Sequence, residues 1–430
     1  MNLYLGIDFG TTGARSTIID SQGMIHCETA YTFADAQQPE LPSVWQNALW
    51  AVIEQIPPTI RNQVRSIALD GTSSTVMLCD TDGIPVCEPI LYNDARGAAV
   101  TKRLRAIAPD NHTVLSATSS LAKLLWWQEG GHGGTAPTVF LHQADWLAFL
   151  LHGKLGISDY HNALKLGFDV DTLCYPDWLI EGIAGAAMPV LPQVVAPGTP
   201  VGEVRAQVGD RFGFPRDCIV CGGTTDSIAA FLASGVNSPG EAVTSLGSTL
   251  AVKLLSHTRV DDSRYGIYSH KLGDLWLVGG ASNTGGAVLR NFFTDAELDS
   301  LSKKIDAEKE SLLDYYPLLQ KGDRFPINDP NLPPRLEPRP TDSVEFLHGL
   351  LESIARIEAR GYQLLQEFGA TDLTKVYTAG GGAKNSVWSA IRKRYLKVPV
   401  ETPIHTAAAY GSALLAKQGS QINSGCAGMI

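Results

Sequence analysis

The chain has 430 residues, of which 44% are hydrophobic and 18% charged, and carries a formal net charge of -10 at pH 7. That length is enough for two ordinary domains, each able to bury a sizeable core. The acidic balance argues against a nucleic-acid or anionic-membrane surface, because phosphate-rich partners select basic patches, but it leaves room for a local nucleotide site.

Met1-Asn2-Leu3 runs straight into an apolar strand with no basic leader, and no stretch reaches the roughly 18 apolar residues of a membrane helix. The seven cysteines are odd in number and scattered, which fits a reducing compartment. A soluble cytoplasmic protein is expected.

Leu5 to Phe9 and Ala14 to Asp20 read as two strands joined by the tight turn Gly10-Thr11-Thr12-Gly13. Such a turn suits phosphate chemistry. Gly10 and Gly13 let backbone approach an anion, Thr11 and Thr12 offer donors, and Asp8 can hold a metal-bound water. An ordinary edge hairpin selects the same residues. Glu241 to Leu255 repeats the pattern, strand, Gly247-Ser248-Thr249 turn, strand, so an internal duplication is predicted. The division expected from it is 1–237, 238–418 and a frayed tail, 419–430.

Val44 to Ile56 has helical spacing, and Ser66 to Asp70 reads as a buried strand ending in Gly71-Thr72-Ser73-Ser74-Thr75. Polar groups at a strand's carboxyl end are where open α/β sheets bind ligands, though helix caps use the same residues. Val76 to Val86 reads as a hairpin with an Asp-Gly turn. Asn93, Asp94 and Arg96 follow an apolar run, a composition that suits either a polyhydroxy ligand or a solvated loop. Helices are predicted over Leu121 to Trp127 and Asp145 to Leu151. His161 reads as structural, and Pro189 to Val201 as an extended connection.

Cys218 and Cys221 have CxxC spacing, but a strand turns them to opposite faces, so they read as core. The strand leads through Gly222-Gly223-Thr224-Thr225 into a small-residue helix with Asp226 in its first turn. The dipole there keeps a carboxylate ionised, and an acidic cap is equally ordinary. In the second half, Leu275 to Gly280 is a strand followed by Gly285 and Gly286. Gly322 to Pro340 is irregular, and Asp342 with Glu345 starts a long helix stopping at Gly369. Val376 to Ala379 delivers Gly380-Gly381-Gly382-Ala383-Lys384-Asn385, three glycines that would let a flat ligand lie on bare backbone. The helix Ala407 to Ala416 closes the chain.

Asp-Phe-Gly-Thr-Thr-Gly-Ala-Arg, Gly-Gly-Thr-Thr-Asp-Ser, Leu-Gly-Ser-Thr, Gly-Asp-Arg-Phe-Pro-Ile-Asn-Asp-Pro and Gly-Gly-Gly-Ala-Lys-Asn occur in the order found in the FGGY carbohydrate kinases. The chain resembles that family from residue 3 to about 416. The resemblance implies an α/β fold of two RNase H-like domains of the actin and sugar-kinase type, with ATP and a sugar in the cleft between them.

By the same resemblance Asp226 is the catalytic base, and Asp8 the acidic residue holding Mg²⁺ through water. Thr11, Thr12, Gly13 and Arg15 lie on the first phosphate turn, and Gly247, Ser248 and Thr249 on the second. Gly285, Gly381, Gly382, Lys384 and Asn385 lie on the nucleotide side. Ser73, Ser74, Asn93, Asp94 and Arg96 fall where the family holds its sugar, a site that also takes in Asp8, Thr12, Gly13 and Arg15. The Gln-Met-His-Gly segment of typical xylulose kinases is replaced by Gly71-Thr72-Ser73-Ser74. The Asn-Asp-Ala-Arg and Asn-Ala-Leu-Lys-Leu-Gly segments resemble the compact branch that phosphorylates D-ribulose.

The expected activity is transfer of the ATP γ-phosphoryl group to a ketopentose, D-ribulose first, with D-xylulose or another polyol as the alternative. An actin- or chaperone-like ATPase switch explains the phosphate turns but not Asn93 to Arg96. A catalytically silent sugar sensor conflicts with intact Asp8 and Asp226. No nucleic-acid or membrane partner is expected, and the assembly is expected to be a monomer or homodimer.

Overall fold

The computed structural model describes residues 1–33, 40–131, 136–185, 188–423 and 425. Contacts divide the chain into two compact units, Met1–Ala233 with Ala407–Ile430, and Ser234–Thr406.

The first unit is built on β1 (Leu3–Phe9), β2 (Gly13–Ile19), β3 (Ile25–Thr32) and β4 (Val64–Gly71), with the later strands β9 (Pro200–Glu203), β10 (Ile219–Cys221) and β11 (Thr224–Thr225). The sheet order is β3-β2-β1-β4-β10-β9, with β11 also paired to β4. β1 is buried along its whole length. Its odd residues Leu3, Leu5, Ile7 and Phe9 join a core with Trp45, Leu49, Trp146 and Leu151 from the helices Leu41–Glu54 and Gln143–His152. Its even residues Tyr4, Gly6 and Asp8 take the other face, where Tyr4 packs with Ala233, Tyr410 and Ala413. A strand buried on both faces has to be apolar nearly throughout, and β1 is.

The closing helix, Ala408–Asn423, covers that second face. A Cβ on Gly6 would stand 2.0 Å from Ala409 O, so glycine there is what lets the helix seat. This corrects the expected boundaries in two ways. The last helix packs in the first unit, not the second, and it continues past Gln418, with Gly419 against Cys221 Sγ. Cys218 and Cys221 do fall in the cores of opposite sheet faces, and burial pushes the Cys221 thiol up to about 12.

Between β4 and β9 the chain forms β5 (Val76–Cys79) paired with β6 (Val139–His142), and β7 (Ile157–Asp159) paired with β8 (Gln193–Val195). The predicted hairpin after Val76 survives as a turn at Asp80–Gly83 and two isolated bridges, Cys79 to Pro85 and Val76 to Ile90. β5 takes its main partner from β6, because Val76, Leu78 and Phe140 share a separate core with Leu121, Leu124 and Leu125 of the helix Ser120–Gly130.

The second unit contains β12 (Glu241–Leu246), β13 (Leu250–Ser256), β14 (Tyr268–Leu272), β15 (Leu275–Ser282), β16 (Lys375–Ala379) and β17 (Val400–Glu401), in the order β14-β15-β13-β12-β16-β17. Without its edge strand β14, this sheet repeats the first. The path β15-β13-β12-β16-β17 has the same two antiparallel and two parallel pairings as β3-β2-β1-β4-β10. The duplication predicted from two glycine turns is therefore a duplication of topology, the RNase H-like arrangement. Asp342 caps the helix Ser343–Glu367, accepting from Val344 N at 2.8 Å, and Gly369 follows its end at φ +95°. Asp323, in the irregular segment, is buried and accepts from Ser282 Oγ, Asn283 N and Tyr316 Oη.

Candidate active site

In the first unit three carboxylates gather at the carboxyl ends of parallel strands. Asp8 and Asp70 are register partners on β1 and β4, and Asp70 is in turn the partner of Thr224 on β11. Two residues further on, Asp226 opens the helix Asp226–Ala233, and its Oδ1 accepts from Ser227 N at 2.7 Å. The arrangement follows from the even-odd alternation of the strands. Ser66, Ala68 and Asp70 share one face of β4, so Ser66 Oγ donates to Ala416 O and Ser412 Oγ to Asp70 Oδ2, both at 2.6 Å.

Burial drives Asp70 well above the carboxylate range, and the negative charge of Asp8 adds to it. Burial also raises Asp8, opposed by Asp70 as a hydrogen-bond donor and by Arg15, whose Nη1 is 3.5 Å away. Asp70 is the more deeply buried of the two and the more strongly raised, which favours protonation there.

The turn after β1 is closed by Gly10 N donating to Gly13 O at 3.1 Å, with Thr11 and Thr12 exposed at its tip. The two glycines differ in purpose. A Cβ on Gly13 would stand 2.4 Å from Tyr31 O, whereas one on Gly10 meets only Gly13 O at 3.8 Å. Gly13 is required by strand packing, while Gly10 leaves open backbone.

Ser73 is half-buried and Asn93 exposed, while Ser74 is buried at φ +64°. Arg96 donates through Nε and Nη2 to Asp94 Oδ2 at 2.9 and 2.6 Å, and its guanidinium lies 4.8 Å from the Trp126 ring centroid. Asp94 and Arg96 are thus fastened to each other. His161, expected to be structural, places its Nδ1 2.7 Å from Thr224 Oγ1. Asn162 Nδ2 donates to Thr224 O. Three buried polar atoms of this region, Ser74 Oγ, Asn162 Oδ1 and Thr225 Oγ1, have no hydrogen-bond partner. Native proteins rarely leave such atoms unpaired away from a ligand or water site.

In the second unit a cavity of about 450 Å³ is lined by Gly247, Leu289, Arg290, Gly381, Gly382, Lys384, Asn385 and Trp388 among others. That is the size of a small-ligand site. Its floor is two turns stacked on each other. Gly286 N donates to Gly247 O and Ala287 N to Ser248 O, and a Cβ on Gly285 would stand 2.7 Å from Thr249 C. Gly285 is buried and serves this stacking, while Ser248 and Thr249 are exposed at the tip.

The three-glycine run is not uniformly bare. Gly380 has φ +84°, and a Cβ there would meet Leu246 O at 2.7 Å; one on Gly382 would meet Leu246 Cβ at 2.6 Å. Only Gly381 faces space free within 4 Å. Asn385 caps the helix Ser386–Leu396 by accepting from Trp388 N at 3.0 Å, and its Nδ2 donates to Ser302 Oγ at 2.8 Å.

Sequence reasoning missed Asp70, Ser412 and Arg290. Arg290 Nη2 donates to Ser248 Oγ at 3.2 Å and brings a cation to the cavity. Its signal was faint, an arginine one helical turn after Gly286. Asp70 and Ser412 are 342 positions apart, and nothing local connects them.

Two units of one duplicated topology, the first with carboxylates at its strand ends and the second with a glycine-floored cavity, define a protein of the actin and sugar-kinase class. Residues 3–233 match the N-terminal domain of the FGGY family of carbohydrate kinases, and residues 242–418 match its C-terminal domain. The chain belongs to that family and is an ATP-dependent sugar kinase.

A xylulose kinase from Staphylococcus epidermidis is 22% identical over 444 residues, covering 97% of this chain and 88% of its own. An autoinducer-2 kinase from Escherichia coli is 23% identical, covering 98% and 87%. The crystal structure of a xyloylose kinase from Brucella ovis superimposes with a TM-score of 0.87 at 23% identity, covering 98% of this chain and 91% of that one. The family assignment removes the ATPase-switch alternative.

Proposed function

We propose that this kinase phosphorylates a primary hydroxyl of a ketopentose, D-ribulose first, with Asp226 as general base. The observation that carries the reading is the convergence of Asp8, Asp70 and Asp226 beside buried, unpaired Ser74 Oγ and Thr225 Oγ1. A polyol supplies the hydroxyls such atoms lack, and a missing sugar hydroxyl would leave them unpaired again. In the reaction the acceptor oxygen forms a bond to the γ-phosphorus as the bond from that phosphorus to the β,γ-bridging oxygen breaks. ADP leaves with the bond's electron pair, and the hydroxyl proton goes to Asp226. A positioned base of this kind contributes about 10²- to 10⁴-fold.

Nucleotide binding is proposed at Gly247, Gly381, Gly382, Lys384 and Asn385, with Thr11, Thr12 and Arg15 near the transferred phosphoryl group. Among the described residues no group of three or more His, Cys, Asp or Glu could cage a metal. Mg²⁺ keeps several waters and takes one or two carboxylates plus substrate phosphates. Asp8 would hold it through water. The ion would neutralise phosphate charge, where much of phosphoryl-transfer catalysis lies.

D-xylulose is the second reading, supported by the relatives named xylulose kinase. D-ribulose is put first because the chain lacks the Gln-Met-His-Gly segment of typical xylulose kinases and its Asn-Asp-Ala-Arg and Asn-Ala-Leu-Lys-Leu-Gly segments resemble the compact branch that phosphorylates D-ribulose. The deciding experiment is ADP release from Mg·ATP with D-ribulose, D-xylulose, L-ribulose, glycerol and no sugar, beside Asp226→Asn. Stimulation by one ketopentose that vanishes in the variant is expected, along with loss of turnover in EDTA. Sugar phosphorylation retained by Asp226→Asn would refute the assignment.

A further inference from the structure

Lys123 sits on the helix Ser120–Gly130 with its side chain fully buried. Its Nζ donates to Ser74 O and to Leu91 O, each at 2.7 Å. Those carbonyls belong to the two segments that carry the candidate sugar residues, Ser73 and Ser74 on one side and Asn93 to Arg96 on the other. The segments are otherwise linked by backbone bonds between Val76 and Ile90 and by Tyr92 N donating to Thr75 Oγ1.

An ammonium in this position is costly. Burial pulls Lys123 down to about 7, with Asp94 opposing that shift and Lys165 and Arg96 adding to it. An apolar side chain would fill the space with less penalty, so packing alone does not account for a cation here. Its partner Ser74 is a non-glycine residue in the left-handed region, a strained conformation that persists only when its surroundings hold it. The Ser74 hydroxyl is buried with no partner.

We infer that Lys123 is a positioning residue for the acceptor sugar, its Nζ fixing the Ser74 and Leu91 segments against each other so that Ser74 Oγ stays available to a sugar hydroxyl. This rests on the sugar-kinase reading of the first unit. It assigns Lys123 no contact with the phosphoryl group and no effect on nucleotide binding.

The test is steady-state kinetics of Lys123→Met and Lys123→Ala with ketopentose and ATP varied separately, accompanied by melting curves. The KM for sugar is expected to rise roughly tenfold or more, as for the loss of charge-assisted hydrogen bonds, while the KM for ATP stays within about twofold. Ethylamine should lower the sugar KM of Lys123→Ala by placing an amine in the vacated space. If neither apolar variant folds, Lys123→Gln, whose side chain is one atom shorter and uncharged, is measured in the same way, and its sugar KM is expected to rise as well. A sugar KM within about twofold of wild type overturns the positioning role and leaves the kinase reading intact, as does a parallel change for both substrates without amine rescue. Wild-type protein that releases no ADP in response to any sugar removes both.

Discussion

The buried pair Arg392 and Glu358 offers a quantitative test of how the second unit holds its cavity. Arg392, on the helix Ser386–Leu396, donates Nε to Glu358 Oε2 at 2.6 Å, Nη2 to Oε1 at 2.7 Å and Nη1 to Thr378 Oγ1 at 2.7 Å. Glu358 comes from the helix Ser343–Glu367 and also accepts from Thr244 Oγ1 on β12. Both side chains are 0% exposed, so four elements meet on two charges that water cannot reach.

Arg392→Met leaves Glu358 buried with most of its donors gone, which typically costs about 3–5 kcal/mol. For a unit of this length a loss of 1 kcal/mol lowers Tm by roughly 2–4 °C, so the expected fall is roughly 6–20 °C. Because the helix carrying Arg392 begins at the Asn385 cap beside Gly381, the KM for ATP should rise in the same variant. Arg392→Met combined with Glu358→Leu should recover most of the stability, since removing both charges also removes the desolvation penalty. Calorimetric melting and urea titration give the numbers. A loss below about 1 kcal/mol, or a double variant no better than the single one, would refute the claim that this pair is fully desolvated.

Gly381→Val should fold with near wild-type stability, since nothing lies within 4 Å of its Cβ, yet raise the KM for ATP about tenfold or more. Gly380→Ala should instead lower Tm, and equal melting of the two variants would contradict the assignment of bare backbone to Gly381. Gly6→Ala forces a Cβ to 2.0 Å from Ala409 O, so denaturation should show a loss of about 3 kcal/mol or more, with limited proteolysis freeing the closing helix. Burial raises Glu352, but His348, whose Nε2 stands 3.2 Å from its Oε2, and hydrogen bonds from Arg394 and Tyr395 outweigh that and pull it down to about 2. Its folded value lies below its unfolded one, so its contribution of roughly 3 kcal/mol is complete above about pH 4.5 and is lost as pH falls towards 2. Glu352→Gln should flatten stability over that window, and an unchanged acid limb would reject the network.

Much of the fold was legible because it rests on local pattern. The turns after Phe9 and Leu246 announce themselves by glycine and threonine between apolar runs, and the long helix after Asp342 by its cap and its spacing. The glycine run of the second half was also legible as a turn between strand and helix, yet the separate purposes of its glycines were not. Which of Gly380, Gly381 and Gly382 faces open space depends on where Leu246 stands, and that residue is distant in sequence.

The sequence by itself determined the repeated strand-turn-strand pattern, the family, and the places of Asp8 near a strand end and Asp226 in a first helical turn, because alternation, turn chemistry and motif order are properties of neighbouring residues. The tertiary structure alone decided that the last helix returns to the first unit, that Ser412 meets Asp70, and that Lys123 reaches two separate carbonyls. These depend on packing across hundreds of residues, where a missing Cβ at Gly6 or a buried amine selects one partner among many, and no local periodicity records that selection.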